Sequence, residues 1–131
     1  MLDVAYLDSS AIVKTVIEEP ESRALRAFLR GFRTRASAEL ARAEVLRAVR
    51  GAEPDALPRA YGTLDRLLLV SVSRTVLEAA GLLDPPELRT LDAVHLAAAR
   101  TLASQLGALV TYDTRMQNAA SALGFPVEVP R

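Results

Sequence analysis

The sequence predicts an α/β fold, with helices packed on a central, mostly parallel sheet. Short apolar runs alternate with helical patterns along the 131 residues. Two of those runs, AYL and ALVTY, pass straight into an aspartate, Asp8 and Asp113, and a helical pattern begins directly after each. No internal repeat, low-complexity segment or second core interrupts the alternation, so a single domain is expected over residues 1–131.

The first strand is expected over Asp3 to Leu7. Asp8-Ser9-Ser10 supplies capping chemistry for a helix from Ala11 to Ile17, stopped near Glu19 by Pro20. Glu21 to Phe32 reads as a helix with Leu25, Phe28 and Leu29 on one face, followed by a short strand at Thr34 to Ala36. Ser37 is expected to cap the next helix, which runs to Arg50 with Leu40, Ala41, Val45, Ala48 and Val49 on its apolar side and Gly51 closing it. Two prolines and Gly62 make Glu53 to Arg66 an interrupted helix or a pair of short ones. Leu67 to Val72 is the clearest strand, with Ser73 capping a helix from Arg74 to Leu83. Asp84-Pro85-Pro86 forces a loop. Thr90 then begins a long helix expected to reach Leu106 and to end at Gly107. A strand at Ala108 to Tyr112, a helix at Thr114 to Leu123 with Gly124 beyond it, and an edge strand at Val127 to Val129 complete the chain.

Cysteine is absent. That excludes disulfide scaffolds, thiol catalysis, zinc fingers and iron–sulfur sites, and it suits a reducing cytoplasm. The opening MLDVAYLD carries an acid where a secretory signal places a base, and no apolar run approaches the roughly 20 residues that span a bilayer. A soluble cytoplasmic protein is expected. The net charge is zero, yet the bases are fifteen Arg and the single Lys14. Eight of those arginines and only three glutamates fall between Glu21 and Arg50, a local excess of five positive charges. This span is either a solvated face or a surface for phosphate or a partner.

Four acids lie in or beside apolar stretches, where an uncompensated carboxylate is costly. Asp8 and Asp113 follow strands, and in an open parallel sheet the carboxyl ends of strands share the edge at which ligands bind. Taken singly, each is also a plausible helix cap. Glu44 has Leu40 and Ala48 four residues to either side, which places it on or beside a buried stripe, with Arg47 as the alternative, a surface ion-pair partner. Asp92 falls in the first turn of its helix, where the helix dipole alone would favour it. His95, three residues on, is expected to pack or hydrogen-bond near Asp92, in a structural role rather than as an acid–base group. Asp3, Glu39 and Asp84 read as solvated.

An acidic set with no Cys and one His points to magnesium or manganese rather than zinc, because hard cations take oxygen ligands. Such a site can turn a bound water into a nucleophile and neutralise a phosphate oxygen, the chemistry of phosphodiester cleavage.

The strings LDSSAIVK, AEVLRAVR, LRTLDAVHLAAA and VTYDTRM resemble, in order and spacing, the motifs of PIN-domain ribonucleases, most closely the toxins of type II VapBC toxin–antitoxin systems. The likeness extends to the closing ALGFPVEVP. It implies an α/β/α sandwich around a parallel sheet and a Mg2+- or Mn2+-dependent endoribonuclease acting on single-stranded regions of RNA. By the motif match, Asp8 and Asp92 would be the principal metal ligands. Glu44 and Asp113 would complete the acidic quartet, holding a second metal or a ligating water. Ser10 and Thr111 would place hydroxyls near the acids. The resemblance also implies a homodimer and a cognate VapB-type antitoxin whose C-terminal segment covers the site. Asn118 stands in a region where some members carry a further acid. The alternatives are an RNA-processing PIN nuclease with no toxin role and a degenerate PIN domain acting as a binding scaffold. A haloacid-dehalogenase-like fold would want a second acid two residues after the first, where this chain has Ser10.

Overall fold

The computed structural model describes residues 2–131. Five strands form one parallel sheet in the order β3-β2-β1-β4-β5. They are β1 (Val4–Leu7), β2 (Thr34–Ala38), β3 (Leu68–Val70), β4 (Leu106–Val110) and β5 (Val127–Glu128). The connecting helices are α1 (Ser9–Val16), α2 (Ser22–Leu29), α3 (Ala41–Val49), α4 (Ala56–Asp65), α5 (Arg74–Gly81), α6 (Thr90–Arg100) and α7 (Thr114–Ala122).

Parallel strands need crossover connections, and these put helices on both faces of the sheet. Ala5 and Leu7 pack against Ala11, Ile12, Leu25, Val45 and Leu64 of α1 to α4, whereas Val4 and Tyr6 pack against Val76, Val94, Leu96 and Met116 of α5 to α7. The result is the expected α/β/α sandwich, and burial on both faces explains why β1 is apolar at every position. Within one helical layer the middle of α6 is enclosed, with Ala93 to Ala99 buried without a break.

From β1 the chain winds outward through β2 to β3, then returns through α5 and α6 to β4 on the other side of β1. Neighbouring strands whose connections leave toward opposite faces open a crevice at their carboxyl ends. Here those ends are Leu7 and Val110. Asp8 N–H donates to the Val110 carbonyl at 3.2 Å, so pairing holds up to the mouth of the crevice.

The expected caps form at Asp8, Ser73 and Asp113, whose side chains accept from the N–H groups of Ala11, Val76 and Met116. Gly51 and Gly124 adopt φ of +81° and +87° just beyond α3 and α7, a backbone region that glycine enters without a Cβ penalty.

Several elements differ from expectation. Ser37 does not cap a helix: it is buried inside β2, where it pairs with Leu69 of β3, and α3 starts four residues later without a side-chain cap. The segment from Ala56 to Asp65 is one helix despite Pro58. That proline occupies the third helical position, where an N–H would have no intrahelical partner to lose. Leu67 to Val72 contributes only a three-residue strand at the sheet's edge, with Leu68 half exposed. The Thr90 helix ends at Arg100, and a 3-10 turn at Ala103–Gln105 leads directly into β4. Gly107 lies within β4, where a Cβ would run into the Leu2 carbonyl oxygen and approach the Phe32 ring at 2.9 Å. On α3 the buried stripe is Ala41, Val45 and Val49, while Ala48 faces solvent.

Candidate active site

The crevice is built outward from Asp8, which is buried at the end of β1. Its Oδ1 accepts from Ser10 Oγ at 2.6 Å and from Ala11 N–H at 3.0 Å, and its Oδ2 accepts from Thr111 Oγ1 at 2.6 Å. Both hydroxyls also stitch the neighbouring strand end: Ser10 Oγ accepts from Tyr112 N–H at 3.1 Å, and Thr111 Oγ1 accepts from Asp113 N–H at 3.2 Å. Burial pushes the Asp8 carboxyl above its ordinary value, against the hydroxyl and N–H donors that favour the ion.

Glu44 rises from α3 beside the buried stripe, about three-quarters covered. Its Oε1 accepts from Ser9 Oγ at 2.5 Å and lies 2.7 Å from His95 Nε2. A carboxylate offers only lone pairs, so Nε2 must carry a proton there. In the neutral ring, Nδ1 then accepts from the Tyr6 hydroxyl at 2.7 Å. Burial works to raise the Glu44 carboxyl, but the His95 and Ser9 hydrogen bonds outweigh it, and it sits below its ordinary value. The partner is therefore His95 rather than Arg47, which forms no ion pair among the described residues. His95 does not turn to Asp92, as its spacing suggested. From the second turn of α6 it reaches across to α3 and β1 instead.

Asp92 and Asp113 form the outer rim and share one arginine. Arg89, the residue before α6, donates from Nε to Asp92 Oδ2 at 2.9 Å and from Nη2 to Asp113 Oδ2 at 2.7 Å. Its side chain is 56% exposed, while those of Asp92 and Asp113 are 17% and 32% exposed. The Met116 N–H, accepted by the capping carboxylate, is the main cause holding Asp113 below its ordinary value, with Arg89 adding to it. The two carboxylates in turn raise the Arg89 guanidinium, Asp92 most.

Three of the four acids thus join one hydrogen-bonded series, Asp8 through Thr111 to the Asp113 N–H and the Asp113 carboxylate through Arg89 to Asp92, while Glu44 bonds to Ser9, the residue after Asp8. Ser10 and Thr111 lie where the motif match put hydroxyls. Tyr6, Ser9 and Arg89 were not singled out from the sequence. Arg89 carried a usable signal, because a base three residues before Asp92 on a helix faces it. The donor set is oxygen throughout, which fits a hard divalent cation. Among the described residues, however, no three acid or His side chains close on one point tightly enough to hold a metal.

A PIN-domain family model matches residues 5–122. Ribonuclease VapC46 of Mycobacterium tuberculosis (strain ATCC 25618 / H37Rv) is 52% identical over 125 residues, covering 95% of this chain and 96% of the relative. Ribonuclease VapC35 of the same strain is 40% identical over 130 residues, with the same coverage. Among solved structures, VapBC2 from Rickettsia felis bound to a DNA fragment from its promoter superposes with a TM-score of 0.66 at 16% identity, covering 98% of this chain and 99% of that one. VapBC-5 from Mycobacterium tuberculosis superposes with a TM-score of 0.57 at 20% identity, with 98% of each chain covered. At such identities these superpositions establish the fold.

Proposed function

The chain belongs to the PIN-domain family, in its VapC branch, and from that premise we propose that it is a metal-dependent endoribonuclease cutting single-stranded regions of RNA. Its biological role is the toxin of a type II toxin–antitoxin pair, acting in the cytoplasm as a homodimer and restrained by a VapB-type antitoxin. Among the described residues no helix is long and apolar enough to cross a membrane. The observation that carries the reading is the hydrogen-bonded acid series at the carboxyl ends of β1 and β4, in a chain 52% identical to a named ribonuclease.

Asp8 and Asp92 would be the principal ligands of a Mg2+ or Mn2+ ion, with Glu44 and Asp113 holding a second ion or a ligating water. When bound, such an ion supplies a nucleophilic water and neutralises phosphate charge. The chain's own groups set the geometry. Ser10 and Thr111 fix both oxygens of Asp8, and His95, itself fixed by Tyr6, aims Glu44. Glu44 and Asp113 are both held below the ordinary carboxylate value, so at neutral pH they contribute charge rather than protons.

The test is incubation of the purified chain with single-stranded RNA, with Mn2+, with Mg2+ and with chelator. Cleavage confined to the metal-containing reactions supports the reading, and undiminished cleavage in excess chelator overturns it. Growth arrest on expression, relieved by the product of an adjoining upstream reading frame, separates a toxin from an RNA-processing enzyme.

A further inference from the structure

Arg89 is the only base hydrogen-bonded to two of the four acids among the described residues, and it engages them through different nitrogens of one planar group. Three facts set it apart from an ordinary surface ion pair. Its two carboxylates come from different elements, the first turn of α6 and the cap of α7, so the guanidinium is the link between them. Both are acids to which the metal reading gives a part, Asp92 as a principal ligand and Asp113 holding a second ion or a ligating water. No three acids close on a common point while Arg89 holds Asp92 and Asp113.

We propose that Arg89 is the resident counter-cation of the outer acid pair, a positioning residue that a divalent ion must displace before Asp92 and Asp113 can turn inward. The inference rests on the metal-dependent reading above and deepens it. A guanidinium and a divalent cation compete for the same carboxylate lone pairs, so occupation by one weakens the other. The displaced group has somewhere to go. Arg89 also lines a cavity of about 620 Å³ between the Asp84–Leu88 loop and α7, together with Pro85, Leu88, Arg115, Asn118 and Leu123. From there its exposed, fork-shaped cation is free to meet a phosphate oxygen of the RNA strand, which a bare carboxylate rim would repel.

The experiment is Mn2+ binding by titration calorimetry on the full chain, without RNA, for wild type, Arg89→Gln and Arg89→Lys, with circular dichroism confirming the fold of each. Loss of two exposed ion pairs should tighten Mn2+ binding by Arg89→Gln on the order of tenfold. Arg89→Lys, which keeps the charge but not the fork, should fall between the two. RNA cleavage by Arg89→Gln should show a raised KM despite the tighter metal. Equal or weaker Mn2+ binding by Arg89→Gln overturns the proposal and makes Arg89 a brace that preorganises the acids. That result leaves the nuclease reading standing so long as wild type binds Mn2+. Absence of Mn2+ binding in all three proteins sinks the metal reading and this inference together.

Discussion

Asp8 and Glu44, the inner half of the crevice, are held by hydroxyls, an amide N–H and an imidazole, whereas Asp92 and Asp113, the outer half, are held by one exposed guanidinium. The two arrangements do different things to charge. Hydroxyl and amide donors fix a carboxylate's direction without neutralising it, so the inner pair is oriented by part-buried hydrogen bonds. The guanidinium neutralises as well as orients, and because it is exposed it can leave. The inner acids are thus set by folding and the outer ones by the cation between them.

The sharpest test of this contrast is activity. Asp8→Asn should lower RNA cleavage by more than about a hundredfold, exceeding the loss typical of groups that merely orient a ligand, while circular dichroism stays native. Cleavage by Asp8→Asn near the wild-type rate would move the centre of the chemistry to the outer half. Second in size is the stability of the inner half. His95→Ala strips a buried imidazole from between Tyr6 and Glu44 and leaves the Tyr6 hydroxyl without its partner, which should cost about 2–4 kcal/mol in urea denaturation. A loss below about 1 kcal/mol would show that the Tyr6–His95–Glu44 series is incidental.

Acidification separates Asp8 from Asp113 by sign. The folded state raises the Asp8 carboxyl, so at neutral pH its ionised form opposes folding, and that penalty is relieved as pH falls through its folded value. Asp113 is lowered, so its contribution is present above the unfolded value near about 4 and is lost as pH falls through the folded one. Denaturation from pH 7 down to pH 3 should therefore show wild type gaining stability relative to Asp8→Asn and losing it relative to Asp113→Asn. Parallel profiles for the two variants would erase the distinction. Glu44 titrates in the direction of Asp113 although it belongs to the inner half, because its hydrogen bonds outweigh its burial.

The smallest effect belongs to the outer half without metal. Four converging carboxylates alone would lead one to expect that removing a charge raises the melting point. With Arg89 already between Asp92 and Asp113, Asp92→Asn in chelator should shift melting by less than about 3 °C either way. A rise of 5 °C or more would mean that Arg89 leaves the repulsion uncompensated.

The sequence-derived reading was best where a local rule and the fold agreed. Asp8 and Asp113 each follow an apolar strand and open a helix, and the residues that cap α1 and α7 as expected also lie at the crevice. It failed where tertiary pairing overrode local chemistry. Ser37 has the side chain of a cap but lies where β2 must still pair with β3, and Gly107 looks like a helix stop but sits where the Leu2 backbone passes too close for a Cβ. The partners of Glu44 and Asp113 lay out of reach for another reason: His95 is 51 residues from Glu44, and Arg89 is 24 from Asp113. No window the length of a single helix or strand contains both members of either pair.

The bond from Thr111 to Asp8 spans 103 positions, and β1 sits in the sheet between β2 and the late strand β4. A ribosome releases the chain from its amino end, so Asp8, Glu44 and Asp92 all emerge before the strand that completes their crevice. Until β4 docks, Leu7 and Asp8 lack their neighbour on one side, and a polypeptide halted before Thr111 carries three of the four acids with no partner for the Oδ2 of the first. Such long-range closure is slow compared with local helix formation. The crevice therefore cannot assemble on a chain halted before β4, and a cell translating this message meets it only after Thr111 has emerged.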